Sequence, residues 1–228
     1  MSVAEHVREV QEDISEICIR AGRDPAEVTL MAVTKNQNAS AVTQAYEAGV
    51  RCFGENRVQE AASKYRERPA DLDVQLIGHL QRNKAKSAVG LFSTVQSIDR
   101  TETAEALHRH CSAAGSRMRV LLEVNTSGEE SKYGVVGADA LRAVLDGVIK
   151  LESLDPVGLM TLAPFTTDEQ AIRRSFRELY RLFTMVARSY PELDFSVLSM
   201  GMTNDYAIAV EEGSTMVRLG TRLFGSRS

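Results

Sequence analysis

One lysine in an unusual position is the first indication of chemistry in this chain. Lys35 ends the apolar, β-branched segment VTLMAVTK (28–35), whereas a solvated lysine usually lies on a helix. A lysine that loses solvation at a barrel mouth is more readily neutral, and a neutral amine condenses with an aldehyde to form a Schiff base. The alternative is a lysine that buries its stem and extends its ammonium to the rim.

A segment near the C-terminus predicts a binding site for a phosphate group. LSMGMTNDYAIAVEEG (198–213) is typical of a strand that ends in Ser199-Met200-Gly201 and is followed by a helix start. Free N–H groups and hydroxyls at such a junction bind anions. The next strand contributes RLGT (218–221). These two strands are the seventh and eighth predicted along the chain, and many TIM-type barrels bind phosphate after strands seven and eight. The two segments together therefore predict a phosphate site.

The rest of the chain alternates between helical periodicity and short apolar runs. Residues 2–22 have apolar side chains at three- and four-residue steps, which predicts an amphipathic helix. Eight strand candidates follow, mostly apolar on both faces, as parallel strands covered by helices are: 28–35, 50–56, 74–80, 94–99, 119–125, 157–162, 195–201 and 216–225. The helical stretches between them are 38–48, 57–68, 81–89, 101–114, 138–150, 168–189 and 204–212.

This alternation predicts an α/β fold, a single TIM-type (β/α)8 barrel with an N-terminal helix before the first strand. A doubly wound sheet is the competing arrangement. We expect one domain over residues 1–228, because no linker or low-complexity tract interrupts the pattern. Polar residues end almost every predicted strand, at the face where TIM-type barrels carry their chemistry. These residues include Lys35, Asn56, His79, Asp99, Asn125, Thr161, Ser199 and Thr221.

Composition excludes several classes of protein. The net charge is −4 and the pI is about 5.7, so no basic excess predicts binding to nucleic acid or to an anionic membrane. No apolar run approaches the roughly 20 residues that span a bilayer, and the N-terminus lacks a signal-peptide core. We therefore expect a cytoplasmic protein. Three widely spaced cysteines and four scattered histidines predict neither a disulfide framework nor a metal site.

The chain resembles the pyridoxal phosphate homeostasis protein family. The motifs that carry the resemblance run in order from about residue 31 to residue 227, so they cover nearly the whole chain. They are AVTK, FGENRVQE, LIGHLQRNK, QSIDR, NTSGEESKYG, GLMTL, LSMGMTNDYAIA and VRLGTRLFGSR. The combination of FGEN, SMGM and RxGT in one chain is highly specific.

The resemblance implies the barrel of the alanine racemase N-terminal domain, with pyridoxal 5′-phosphate (PLP) bound at the C-terminal ends of the strands. Lys35 would hold PLP as a Schiff base, and Arg218 would face the pyridine nitrogen. A guanidinium at that nitrogen disfavours ring protonation and weakens the electron sink that PLP catalysis exploits.

Further cofactor contacts follow from the same resemblance. The phosphate would be held by Ser199, the backbone near Met200 and Gly201, and Gly220 with Thr221. Asn56 and His79 would line the pocket.

The chain departs from the usual pattern of the family at several positions. Val74-Gln75 stands where an aromatic–histidine pair is frequent, and Gln96 stands where histidine is common. Thr34 and Asn36 flank the lysine where Ser and Thr are commoner, and Thr203 replaces a common serine. None of these changes removes a group assigned to the cofactor.

The resemblance implies a binding protein that buffers PLP or delivers it to PLP-dependent apoenzymes, with no catalytic residue assigned. We expect a monomer, because the second domain of the related racemases is missing. The alternative is an amino-acid racemase, but related racemases take their second base from a β-domain for which this chain has no room. A lysine-dependent aldolase would share the Schiff base and the phosphate site. It would need a general acid or base near Lys35, and the FGEN, SMGM and RxGT combination argues against it.

Overall fold

Eight parallel strands form a closed barrel in the computed structural model, which describes residues 2–65 and 67–225. The strands follow one another around the barrel in chain order, and the last pairs with the first. They are β1 (Thr29–Val33), β2 (Cys52–Glu55), β3 (Asp73–Leu76), β4 (Thr94–Ile98), β5 (Met118–Glu123), β6 (Leu154–Met160), β7 (Val197–Ser199) and β8 (Met216–Leu219). The predicted (β/α)8 barrel is confirmed, and closure excludes the doubly wound sheet.

Helices surround the barrel and alternate with its strands. They are α1 (Val3–Arg20), α2 (Ala39–Glu47), α3 (Val58–Lys64), α4 (Ala85–Ala88), α5 (Thr101–Ala113), α6 (Gly137–Ile149), α7 (Glu169–Ser189), α8 (Tyr206–Glu211) and α9 (Thr221–Phe224). Two 3-10 turns at Pro25–Glu27 and Arg82–Lys84 complete the regular structure of the described residues. None of the helices that the structure describes is both long and apolar enough to cross a membrane.

The N-terminal helix α1 covers the seam where the barrel closes. Ser2 caps the helix, since its hydroxyl accepts from the backbone of Glu5 while the Glu5 carboxylate accepts from the backbone of Ser2. The apolar face of α1 packs against α2, α8 and α9. Hydrogen bonds also hold it there: Tyr206 donates to Asp13 at 2.9 Å, the His6 ring bonds the Leu223 carbonyl at 3.0 Å, and Arg222 donates to Asp13 at 3.4 Å.

The side chains of each strand alternate between the barrel interior and the helix layer. Leu122 and Leu159 join the core formed with α6 and α7, whereas Leu121 and Met160 pack inside the barrel. Gly158 is required where β6 meets β7, because a Cβ at this position would lie 1.8 Å from the Val197 carbonyl oxygen. Alternate side chains of one strand therefore belong to two different cores, one between the strands and the helices and one inside the barrel.

Two predicted boundaries were wrong. The apolar run 216–225 is not one strand: β8 ends at Leu219, and Thr221–Phe224 turns into α9 so that Leu223 is buried near α1. A short apolar run does not distinguish a strand from a helix. The predicted helix over 57–68 ends at Lys64 as α3. Ser226 and Arg227, the last residues of the VRLGTRLFGSR motif, lie outside the described residues.

Candidate functional site

Lys35 and Asn56 meet at the mouth of the barrel. Lys35 lies two residues beyond the end of β1, and its side chain is exposed. It lines a cleft of about 210 Å³ together with Asn36, Asn56, Arg57 and Glu60. The structure thus brings together two residues predicted from separate strand ends, and it leaves the Lys35 amine accessible to a ligand.

The backbone on both sides of Lys35 is held by hydrogen bonds. The Thr34 N–H donates to the Gly54 carbonyl at 3.1 Å, and the Thr34 carbonyl accepts from Lys64 Nζ at 2.5 Å. Asn36 adopts a left-handed conformation with φ of 60°, which is uncommon for a residue other than glycine. Its N–H donates to the carboxylate of Glu60. These bonds fix the direction in which Lys35 leaves the strand.

A buried polar cluster lies directly beneath this backbone. Glu55 Oε1 accepts from Thr34 Oγ1 at 2.6 Å and from Lys64 Nζ at 2.7 Å. The Tyr65 hydroxyl lies 2.6 Å from Thr34 Oγ1. Burial raises the pKa of Glu55, and its hydrogen bonds from Lys64 and Thr34 oppose that effect. We did not predict this cluster; its only sequence signal was an acidic residue ending an otherwise apolar strand.

Arg218 lies buried inside the barrel, just below the mouth. Its Nη1 donates to Ser199 Oγ at 2.6 Å, and its Nη2 donates to the Thr161 carbonyl at 2.7 Å. Burial lowers the pKa of Arg218 to about 10, while the nearby carboxylates of Asp205 and Glu123 act in the opposite direction. The guanidinium is therefore still cationic at neutral pH.

Ser199 is fully buried, and its hydroxyl is already committed. It donates to Gln96 Oε1 at 2.7 Å and accepts from Arg218. Ser199 and Arg218, both predicted site residues, are therefore in direct contact. In this arrangement the Ser199 hydroxyl accepts from the Arg218 guanidinium on its side toward the barrel floor.

Glu123 is an acidic group in the same interior that the sequence analysis did not single out. It follows inward-facing Leu121 by two positions on β5, and its side chain is buried. Burial, assisted by the negative charge of Asp99, raises the pKa of Glu123 to about 7, and Arg218 opposes the shift. The site thus contains a carboxyl group that titrates near neutral pH.

The loops after β7 and β8 expose backbone N–H groups. Those of Thr203, Asn204, Gly220 and Thr221 donate to no acceptor within residues 2–65 and 67–225. The two strand ends lie side by side, since the Arg218 N–H donates to the Gly201 carbonyl at 2.9 Å. These free donors suit an anion.

Met200 and Gly201 have structural tasks in the same region. Met200 is buried in the core with α7, and its N–H donates to the Met216 carbonyl at 3.1 Å. Gly201 has a φ of 96°, and a Cβ there would lie 2.5 Å from the Cβ of Ala209. Gly201 therefore allows α8 to approach the barrel closely.

His79 follows β3 at the rim and lies against the loop between β5 and α6. Its ring stacks on Tyr133, with 4.1 Å between ring centroids and 13° between planes. His79 Nδ1 is buried and has no hydrogen-bond partner among the described residues. The Tyr133 loop is closed at its base, where the Asn125 N–H donates to the Val135 carbonyl at 2.9 Å. The loop 125–134, which contains the NTSGEESKYG motif, therefore reaches from the end of β5 to the end of β3 at the rim.

Comparison with known proteins relates this site to a described family. The family model for the N-terminal domain of alanine racemase matches residues 8–228. A pyridoxal phosphate homeostasis protein from Pseudomonas aeruginosa is 40% identical over 228 residues, which cover 99% of this chain and 96% of the relative. The structure of PipY from Synechococcus elongatus with PLP bound is 36% identical with a TM-score of 0.84, covering 98% of this chain and 100% of that chain.

A more distant structure confirms the predicted type of barrel. An alanine racemase from Clostridium difficile is similar to this chain with a TM-score of 0.73 at 14% identity. The similarity covers 98% of this chain and 56% of the racemase. At that identity the likeness shows the fold alone.

Proposed function

Because the chain belongs to the pyridoxal phosphate homeostasis protein family, we propose that it binds PLP at the barrel mouth, as a Schiff base on Lys35. When bound, PLP supplies an aldehyde and a pyridine ring that can accept electrons. The observation that carries the proposal is the placement of an accessible Lys35 amine and a buried Arg218 cation at one mouth. PipY, a structural relative at 36% identity, holds PLP.

The residues around the mouth fit the chemical groups of PLP. The cleft at Lys35 and Asn56 is open to an aldehyde, and the free N–H groups of Gly220 and Thr221 suit a phosphate. His79, whose buried Nδ1 has no hydrogen-bond partner among the described residues, lies at the rim where it could line the pocket. The Ser199 hydroxyl and the Met200 N–H already have hydrogen-bond partners within the barrel. We therefore assign the phosphate to the loop that follows Gly201 after β7, together with the loop after β8.

Arg218 favours a holding role over catalysis. A guanidinium only donates hydrogen bonds, so a ring nitrogen facing it stays unprotonated and withdraws electrons weakly. The Pseudomonas aeruginosa relative is likewise named for homeostasis and not for a reaction. We therefore propose a protein that buffers PLP and delivers it to PLP-dependent apoenzymes. We further propose that it is cytoplasmic and monomeric.

Borohydride reduction followed by peptide mass mapping tests this function. We expect a phosphopyridoxyl adduct on the peptide that contains Lys35. Lys35→Ala should lose the adduct and keep only weak, phosphate-dependent binding, while the matched control Lys86→Ala, at an exposed lysine of α4, should keep it. No adduct on the wild-type chain after incubation with PLP would overturn the proposal, and an unchanged adduct in Lys35→Ala would assign the anchor to another lysine.

A further inference from the structure

A row of four hydrogen bonds crosses the barrel interior from its floor to its mouth. At the floor, Gln75 Nε2 donates to Asp73 Oδ2 at 2.7 Å, and Gln96 Nε2 donates to Gln75 Oε1 at 2.7 Å. Toward the mouth, Ser199 Oγ donates to Gln96 Oε1 at 2.7 Å and accepts from Arg218 Nη1 at 2.6 Å. The three middle side chains are 3%, 0% and 0% exposed, so bulk solvent does not reach them.

The two ends of the row determine the direction of every bond in it. Asp73 carries a carboxylate, which only accepts, and Arg218 carries a guanidinium, which only donates. Gln75 must therefore turn its amide nitrogen to the floor and its oxygen upward, and Gln96 must do the same. The Ser199 hydrogen is then committed to Gln96, which leaves its lone pair for Arg218. Each member has one workable orientation.

Sulfur atoms occupy the remaining space around the two amides. Gln96 Nε2 lies 3.2 Å from the sulfur of Met216, and Gln75 Nε2 lies 3.5 Å from the sulfur of Cys52. Sulfur is a weak acceptor. The alternative orientation of Gln96 would place its amide oxygen against the Met216 sulfur, and that of Gln75 would place its oxygen against the Asp73 carboxylate, so both neighbours reinforce the direction set by the ends.

We propose that Gln75, Gln96 and Ser199 are positioning residues that fix the Arg218 guanidinium in the orientation that meets the cofactor ring. The inference rests on the proposed function for the cofactor itself. A planar guanidinium that donates to two different acceptors, Ser199 Oγ and the Thr161 carbonyl, is fixed in the orientation of its plane and cannot move away from the mouth. Its other N–H groups have no acceptor in the part of the chain that the structure describes, and we assign them to the ring.

The middle of the row is the place to test this inference. Gln96→Leu removes both the donor and the acceptor, so Gln75 Oε1 loses its donor and the Ser199 hydroxyl loses its acceptor, while the bonds to Asp73 and from Arg218 can remain. Gln96→His restores one donor and one acceptor, because a neutral imidazole has both. Gln11→Leu, at an exposed position of α1, is the matched control. Urea unfolding establishes that each variant is folded.

Two measurements report the orientation of Arg218. With PLP bound, we expect Gln96→Leu to raise the dissociation constant about ten-fold and to shift the absorption band of the cofactor. Gln96→His should stay close to the wild-type constant and band, and Gln11→Leu should match both. Without PLP, NMR should detect a slowly rotating guanidinium for Arg218 in the wild-type and Gln96→His proteins, and a freely rotating one in Gln96→Leu.

The outcomes separate this inference from the proposed function. A folded Gln96→Leu protein with the wild-type dissociation constant, band and guanidinium signal would overturn the positioning role. A wild-type protein that binds no PLP would overturn the function, while the cofactor-free NMR comparison would still decide whether the row fixes Arg218.

Discussion

Lys64 Nζ lies 2.7 Å from Glu55 Oε1, and the two side chains are only 5% and 0% exposed. The same ammonium donates to the carbonyl of Thr34, the residue before Lys35. An ion pair that is this deeply buried is costly to break from one side, since the remaining charge has no solvent. The pair therefore links the stability of the barrel to the geometry of the lysine at its mouth.

Removing one partner of this ion pair should be more harmful than removing both charges. We expect Lys64→Met to lower the free energy of unfolding by about 3–5 kcal/mol, because it leaves the Glu55 carboxyl buried without its cation. The double variant Lys64→Met, Glu55→Gln should recover most of that loss. Urea denaturation at pH 7 measures both. Equal losses in the single and double variants would show that the charge of Glu55 is not the cause.

Glu123 should make stability depend on pH. Its pKa rises from an ordinary value of 4.5 to about 7 in the folded protein, so the folded state binds the proton more tightly than the unfolded state. The stability that this group contributes is complete below pH 4.5 and is lost as pH rises to about 7.

A neutral replacement tests that dependence. Glu123→Gln should be more stable than wild type at pH 8 by up to about 3 kcal/mol, and most of the difference should vanish at pH 5. Urea unfolding at the two pH values is the measurement, and Glu192→Gln, at an exposed position, is the control. A difference that stays constant with pH would mean that Glu123 does not titrate in this range.

Two glycines of the barrel should respond differently to the same substitution. A Cβ on Gly158 would lie 1.8 Å from the Val197 backbone oxygen, whereas a Cβ on Gly54 would lie 2.6 Å from the sulfur at the flexible end of Met31. Gly158→Ala should therefore separate β6 from β7 and cost more than about 3 kcal/mol, with Gly54→Ala costing clearly less. Thermal unfolding compares them, and equal losses would contradict the contact argument.

The charge of Arg218 should set the electronic state of the bound cofactor. Arg218→Glu replaces a donor by an acceptor, so the pyridine nitrogen should become protonated and the absorption band of bound PLP should shift. The variant also adds a carboxyl near Glu123 and Asp205, and unfolding measurements must therefore establish that it is folded. An unchanged spectrum in a folded variant would mean that Arg218 does not contact the ring.

The loop that carries Tyr133 should slow the exit of PLP. Tyr133→Ala removes the stack on His79. Because an aromatic contact contributes about 1 kcal/mol, the rate of PLP dissociation should increase several-fold. Phe165→Ala is the control, because Phe165 lies after β6, is 96% exposed and makes no such stack. The rate is measured by transfer of PLP to an apoenzyme in excess, and identical rates would assign no closing role to the loop.

Much of this arrangement could be predicted from the sequence because it depends on alternation and strand ends. Alternating helical and apolar segments indicated eight strands, and parallel strands in a barrel necessarily bring Lys35 and Asn56 to one face. The cluster around Glu55 could not be predicted, since it depends on where α3 ends and on how far Lys64 reaches back. The engagement of Ser199 could not be predicted either, because it depends on which strand faces Gln96 across the interior.

The seam covered by α1 has a consequence for how the protein is made. β1 pairs with β8, and His6 bonds the Leu223 carbonyl 217 positions further along the chain. Contacts between such distant segments form late and slow the search for the native state. The ribosome releases the beginning of this chain long before β8 is synthesised, so the apolar faces of α1 and β1 stay exposed to solvent during that time. We therefore expect the barrel to close only after β8 has left the ribosome, with chaperone protection of the first segment until then.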